Sequence, residues 1–542
     1  MTRDFNPKQN LSGKTLLVTG VSGFVAKVWL AFTLDRISDL KQVYILLRST
    51  RKQSAAERFL DMIGRNPVFR PLREKYGNSY EAFIKSKVTV LEGDIQQAKC
   101  ALSDKTCKEL LPRIDAVVHI AGITDFQADP KLALSVNVRG ALHVADLAAQ
   151  TPSKKLIHIS TAYVAGVAQG QVQESIEYGI CPKGEVFDPR ETLRDIEAAC
   201  MRSDALFLPQ EDRKAKQARI DIAVRFAEEL GWRNIYTLSK GLAEHLLVHR
   251  KDIDLCIARP SVVECATDFP FAGWNEGINT SAPLVWLLST PYRWIPSQSS
   301  NRFDVVRGDE VARGISLVLA ASLSNQAKAV YHLCSSSINP VSFGRTLDLV
   351  ALGIRRHQRM HQSESLKKRL WSHLDAFEVE GDTHLRRLGV WRKRSEQAEG
   401  LLRTFHERHV RSKFAGTSVD KAVKRLVKSI KHGKRTLNRI EYMLTLYRPF
   451  THDHDYIFQS ENLQTLNEEL DPTVESAFRF GIDNLDWYGY WINVQIPGLM
   501  KWCIPLIEGQ KVPDDLSLRL VEKRLGVVQP STESAEVSRA EI

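Results

Sequence analysis

TLLVTGVSGFVA, residues 15–26, is the stretch whose reading decides the fold. A short apolar, β-branched run ends in a turn with two glycines, and the turn opens a helix. Gly20 allows the tight turn, Gly23 lets the backbone come close to a pyrophosphate, and Ala26 permits close packing of helix on strand. The free N–H groups at the start of such a helix, with its positive dipole end, favour phosphate. A glycine pattern alone is a weak signal. Strand before and helix after are what give it weight.

Outward from this turn the same rhythm repeats. QVYILLR (42–48), KVTVLEGD (87–94), DAVVHIAG (115–122), KLIHIST (155–161) and DLCIAR (254–259) are short and almost continuously apolar, as in parallel strands buried on both faces. Longer helical patterns, such as residues 130–149, lie between them. The alternation predicts an α/β fold, a Rossmann-type doubly wound parallel sheet, followed by a mostly helical C-terminal domain. The expected organisation is a catalytic, dinucleotide-binding domain over 1–350 with a lid insertion at about 165–233. A basic helical domain then spans 351–510, and a tail spans 511–542, disordered from about 528.

With 542 residues and 43% apolar content, the chain can bury a large core. Its net charge of +11 is concentrated: residues 355–439 hold 23 Lys and Arg against 9 Asp and Glu. Such a segment suits a polyanion, whether a membrane surface, an acidic carrier protein or the phosphates of coenzyme A. Solvated helix faces are the plainer reading. Val419, Val423, Leu426, Ile430, Leu437, Ile440 and Leu444 form one apolar stripe opposite a cationic face. Trp487, Tyr488, Trp491 and Trp502 suit an interface, while Pro497, Lys501 and Pro505 argue against spanning. These features predict a peripheral membrane protein. Eight scattered Cys without metal spacing read as reduced thiols, and no metal is expected. Without an apolar leader or an 18-residue apolar run, the expected location is cytoplasmic. No nucleic-acid motif is present, so no such partner is expected.

Two features predict the chemistry. The second strand ends LLRSTRK, with Arg48 and Arg51 where an NAD site would place an acid, which favours the 2′-phosphate of NADPH. Asp94, after the third strand, is placed to face the adenine. The contact set expected for the cofactor comprises Thr19, Gly20, Ser22, Gly23, Phe24, Val25, Arg48, Arg51, Asp94, Ile95, Ala121, Tyr236, Lys240, Pro260, Val262 and Val263. Second, YTLSK places Tyr236 and Lys240 one helical turn apart on one face. A phenol is a poor acid–base group at neutral pH, and a nearby ammonium stabilises its anion. Thr161 is the expected donor to the substrate oxygen at the end of the fifth strand, supported by Ser160, with Asn137 holding the geometry.

TGVSGFVAK, GD after the third strand, NVRG, ISTAYV, YTLSK and RPS (259–261), in this order, resemble the extended short-chain dehydrogenase/reductase superfamily. YTLSKGLAEHLL, ARPSVVECATDFPFAGWNEGIN (258–279) and VYHLCSSSINPVSF (330–343) are similar to the alcohol-forming fatty acyl-CoA reductases. The likeness covers residues 12–350 and extends more loosely to about 505, where DWYGYW (486–491) resembles that family's C-terminal part. Ala26 replaces the family's usual Gly, and the basic stretch does not map cleanly. The resemblance implies NADPH-dependent reduction of a long-chain fatty acyl-CoA, or an acyl carrier protein thioester, through an aldehyde to a primary alcohol. The competing readings are a sugar-nucleotide epimerase, a hydroxysteroid dehydrogenase or an aldehyde-only thioester reductase. From another class comes a polyanion-binding protein with a vestigial domain.

Overall fold

The computed structural model describes residues 3–208, 211–278, 281–290, 292, 294–360, 377–379, 381–410 and 416–512. The expected tail beyond residue 512 and the middle of the basic segment, 361–376, lie outside the described residues.

Seven strands form the central sheet: β1 (Thr15–Thr19), β2 (Gln42–Leu47), β3 (Val88–Glu92), β4 (Ala116–His119), β5 (Lys155–Ile159), β6 (Asp254–Pro260) and β7 (Val330–Leu333). Their order is β7-β6-β5-β4-β1-β2-β3, and every pairing is parallel. Parallel neighbours need helical crossovers, which cover both faces and account for strands without polar alternation. β1, β4 and β5 are buried along their whole length. The helix Phe24–Arg36 is buried at every position from Ala26 to Leu34. An apolar surface all round a helix signals one enclosed between layers. Here it packs against the sheet's neighbour helix Gly308–Leu323, itself buried from Gly308 to Ser322. Fully buried Trp29 and Phe32 each contribute roughly 1.5–3 kcal/mol relative to exposure.

The chain leaves β1 in one direction, through β2 to β3, and β4 to β7 extend the sheet in the other. The carboxyl ends of β1 and β4 therefore flank a topological switch point, where open α/β sheets place their ligands.

Three expectations about organisation are corrected. A boundary at 350 falls inside the helix Phe343–Met360. The C-terminal region shares the main core: Tyr456–Phe458 pairs with Gly170–Val172, and the Phe5 backbone bonds Glu469 and Asp471. The insertion at 165–233 forms two helices, Pro189–Asp204 and Asp212–Leu230, packed on the flank of the helix Ile235–Val248. It is a buttress, with Ile196, Ala223 and Ala227 in a satellite core. The amphipathic stripe also turns inward at its end: Ile440 and Leu444 are buried in the main core.

Candidate active site

The Gly20 backbone has φ +85°, and a Cβ there would lie 2.4 Å from the Ala121 nitrogen at the end of β4. Glycine is required both for the left-handed turn and for the close approach of the two strand ends. The helix that follows carries no side-chain cap at Gly23. Its first N–H groups remain available to an anion. This donor set fits a dinucleotide pyrophosphate.

The catalytic candidates converge from β5 and the helix Ile235–Val248, whose first turn is capped by Asn234 accepting from the Thr237 N–H at 2.9 Å. Lys240 Nζ donates to the Ile159 carbonyl at 2.7 Å, which pins the helix to the end of β5. The Thr161 hydroxyl donates to the Pro260 carbonyl at 3.4 Å and lines the same space as the Tyr236 phenol. The Tyr236 ring stacks on Phe126, with centroids 5.8 Å apart. Asn137 Nδ2 donates to Ser239 Oγ at 2.9 Å and to the Ile123 carbonyl at 3.0 Å, while its Oδ1 accepts from the Ile123 N–H at 2.7 Å. Asn137 thus clamps the loop after β4 to the catalytic helix.

Burial sets the electrostatics. It pushes the Tyr236 phenol up to about 12, against the hydrogen bond from Thr161. It brings the Lys240 ammonium down to about 8, against the charge of Glu244. The expected pull of Lys240 on the phenol is not among the influences on it; burial is opposed by Thr161 alone. A neutral phenol of this kind is suited to donate a proton to a developing alkoxide rather than to take one.

These residues border one cavity of about 790 Å³. Gly20, Gly23, Phe24, Val25, Ser160, Thr161, Tyr236, Lys240, Pro260, Val262 and Val263 line it. Ser22, Arg48, Arg51, Asp94, Ile95 and Ala121 lie outside it, and Arg48 approaches the Asp94 carboxylate at 3.9 Å. One assignment is corrected. Thr19 is 1% exposed with its hydroxyl on His119 Nδ1 at 2.7 Å, so it belongs to the framework of the sheet. Asn137 is equally buried and does not line the cavity; its contacts to Ser239 and the Ile123 backbone lie behind it.

Sequence reasoning missed the opposite wall. Leu284 and Leu287 from the helix Ala282–Ser289, Ile295, Phe303, Phe343, Met443 and Leu444 supply an apolar surface, and Arg439 enters beside them. Leu444 carried a signal as part of the apolar stripe, but nothing showed that it faced a cavity. No residue of 165–233, among those described, lines this space. Of the four interface aromatics, two are corrected: Trp491 is 0% and Trp502 7% exposed, both part of the core, while Trp487 is partly buried and Tyr488 stays 47% exposed.

The family model described as male sterility protein matches residues 18–315. The chain is 27% identical over 506 residues to the chloroplastic fatty acyl-CoA reductase 2 of Arabidopsis thaliana, covering 91% of this chain and 78% of that protein. It is 28% identical over 501 residues to the alcohol-forming fatty acyl-CoA reductase of Simmondsia chinensis, covering 91% and 97%. Among solved structures, the terminal R domain from the myxalamid PKS-NRPS biosynthetic pathway aligns with a TM-score of 0.49 at 16% identity, covering 86% and 88%.

Proposed function

This chain belongs to the male sterility protein family, and on that premise we propose that it reduces a long-chain fatty acyl thioester to the primary alcohol with NADPH. The observation that carries this reading is the cavity itself. It joins a phosphate-binding turn, a Thr161–Tyr236–Lys240 set and a long apolar wall in one space. An acyl chain fits that wall; a sugar nucleotide or other polar substrate would leave its own hydroxyl groups unpaired there.

Gly20, Gly23 and the helix start after them would hold a reduced nicotinamide dinucleotide, which would supply hydride to the carbonyl carbon. Negative charge develops on the oxygen; Thr161 donates a hydrogen bond to it and Tyr236 delivers the proton. Lys240 holds positive charge behind the phenol. Loss of the thiol from the hemithioacetal leaves an aldehyde, and the same donors serve a second reduction. Ser160 is proposed to support Thr161. Arg48 and Arg51 are proposed to take the 2′-phosphate, which makes NADPH the donor. Coenzyme A is the favoured carrier, following the relatives' names. The test is NADPH consumption with acyl-CoA thioesters, with products identified. Oxidation by UDP-sugars or steroids but by no thioester or aldehyde would overturn the reading.

We further propose peripheral attachment to an anionic membrane. No helix among the described residues is long and apolar enough to cross one. The helix Gly381–Phe405 instead exposes Val390, Trp391, Leu401 and Phe405 within a basic segment. Helical periodicity puts these four on one face. Flotation with anionic vesicles, lost at high salt, is the expected outcome; no binding at low salt would refute it.

A further inference from the structure

Glu244 follows Lys240 by one turn of the same helix, and its side chain is 1% exposed. Arg259, next to last in β6, grips it with two donors: Nε to Oε1 at 3.0 Å and Nη2 to Oε2 at 2.5 Å. Its remaining nitrogen, Nη1, donates to the Ser175 carbonyl at 3.1 Å and to His332 Nε2 at 3.3 Å. That assigns the His332 proton to Nδ1, which donates to the Gln459 carbonyl at 2.8 Å. The place of the guanidinium is therefore fixed by three segments of the chain, those of Glu244, Ser175 and His332.

A buried ion pair is a poor device for stability. Desolvation of both charges offsets most of their attraction, and apolar residues of equal volume serve as well. What apolar residues would not supply is a negative charge one turn from a buried ammonium. The groups around Lys240 make Glu244 the source of it. Tyr236 and Glu244 come from its own helix, His119 from β4 and His158 from β5. Burial keeps both imidazoles far below their usual range, hence neutral, so they add no competing positive charge. Arg259 stands behind Glu244 and is bound to it.

We propose that Glu244, held in place by Arg259, is a positioning residue that keeps Lys240 charged during the reaction. The proposal rests on the reading of Lys240 as part of the catalytic set. Lys240 works as an ammonium, so activity falls as pH rises through its pKa, which burial brings to about 8. Removing the Glu244 charge lowers that pKa further, and the alkaline limb moves toward acid.

The experiment is the pH profile of kcat/KM with NADPH and a long-chain acyl-CoA, alongside NADPH affinity and thermal unfolding. Glu244→Gln is expected to shift the alkaline limb by about one pH unit toward acid. Glu244→Asp keeps the charge and should keep the wild-type limb with lower turnover. The pair Glu244→Gln with Arg259→Gln leaves no charge unpaired and should move the limb in the same direction by less, since the Arg259 cation is lost with the carboxylate; it covers a single variant that does not fold. A purely structural role would lower the whole profile without moving its limb. An unmoved limb in a folded, charge-free variant, with a normal limb in the wild type, overturns the proposal and leaves the function intact. A wild type without an alkaline limb, or unimpaired turnover in Lys240→Met, would instead overturn the reading of Lys240 and this inference with it.

Discussion

The two walls of the cavity are built in different ways. The polar wall comes from strand ends and the helix turns beside them: Gly20 after β1, Thr161 after β5, and Tyr236 and Lys240 on one turn. Each depends on a particular functional group at a particular spacing. The apolar wall is assembled from Leu284, Leu287, Ile295, Phe303, Phe343, Met443 and Leu444, which are far apart in the chain and share only their apolar character. Chemistry of the first kind is local in sequence, because a strand end fixes an atom. Packing of the second kind is degenerate, because many apolar side chains fill the same volume. The polar wall should therefore decide whether the reaction runs, and the apolar wall on what.

The sharpest way to break this division is Tyr236→Phe. Loss of the general acid should lower turnover by about 10²–10⁴ while NADPH binding, measured by fluorescence titration, stays intact. The fold should survive, since the phenol's partners are Thr161 and the Phe126 ring, and the ring is retained. Near-normal turnover would show that the polar wall does not carry the chemistry.

Arg48→Ala comes next in size. Arg48 is well exposed, and its interaction with Asp94 is long at 3.9 Å, so it is available to a phosphate. Losing one charge-assisted contact, about 1.5–3 kcal/mol, should weaken NADPH by about ten- to a hundredfold and leave NADH nearly unchanged. Equal losses for the two cofactors would remove the 2′-phosphate site from the polar wall.

Legibility in the sequence follows the same division. Six of the seven strands and the glycine turn were readable, because buried parallel strands and a φ > 0 turn constrain residue type at each position. The seventh strand, Val330–Leu333, is not read as a strand from the sequence and enters only within VYHLCSSSINPVSF, a stretch carrying the resemblance. The insertion at 165–233 and the boundary at 350 were misplaced for one reason. What joins the C-terminal region to the rest is backbone pairing, Tyr456–Phe458 on Gly170–Val172 and Phe5 beside Leu470, and backbone pairing leaves no mark on side-chain pattern. The aromatic cluster 487–502 illustrates the limit. Composition reads the same for a membrane belt and for a core, and only burial separates them.

Met443→Trp tests the apolar wall. Met443 is partly buried beside the cavity, so a larger ring takes up substrate space with little strain on the core. The longest chains should lose kcat/KM by about fourfold for each methylene no longer accommodated, since a buried CH₂ is worth about 0.8 kcal/mol. Short chains should be unaffected, as the polar wall is unchanged. A uniform loss at all lengths, or none, would mean that Met443 does not face the acyl chain.

The smallest effect, a factor of two, joins the walls. If both act on one bound substrate, two NADPH are oxidised for each acyl thioester consumed. An aldehyde presents the same oxygen to Thr161 and Tyr236 as a thioester does, and its carbonyl carbon is the more electrophilic, so the second reduction is chemically no harder. What decides the outcome is whether the aldehyde leaves before the cofactor is exchanged. The apolar wall bears on that step. With each buried methylene holding the chain by about 0.8 kcal/mol, a long aldehyde should dissociate slowly and a short one quickly. The ratio of NADPH oxidised to thioester consumed should therefore be near two for long chains and fall toward one as the chain shortens in the presence of a hydrazine trap. Long-chain aldehyde added from outside should also be reduced. A ratio of one at every length, with long-chain aldehyde accumulating untrapped, would show that the apolar wall grips the acyl chain too weakly to retain the intermediate, and that the product is the aldehyde.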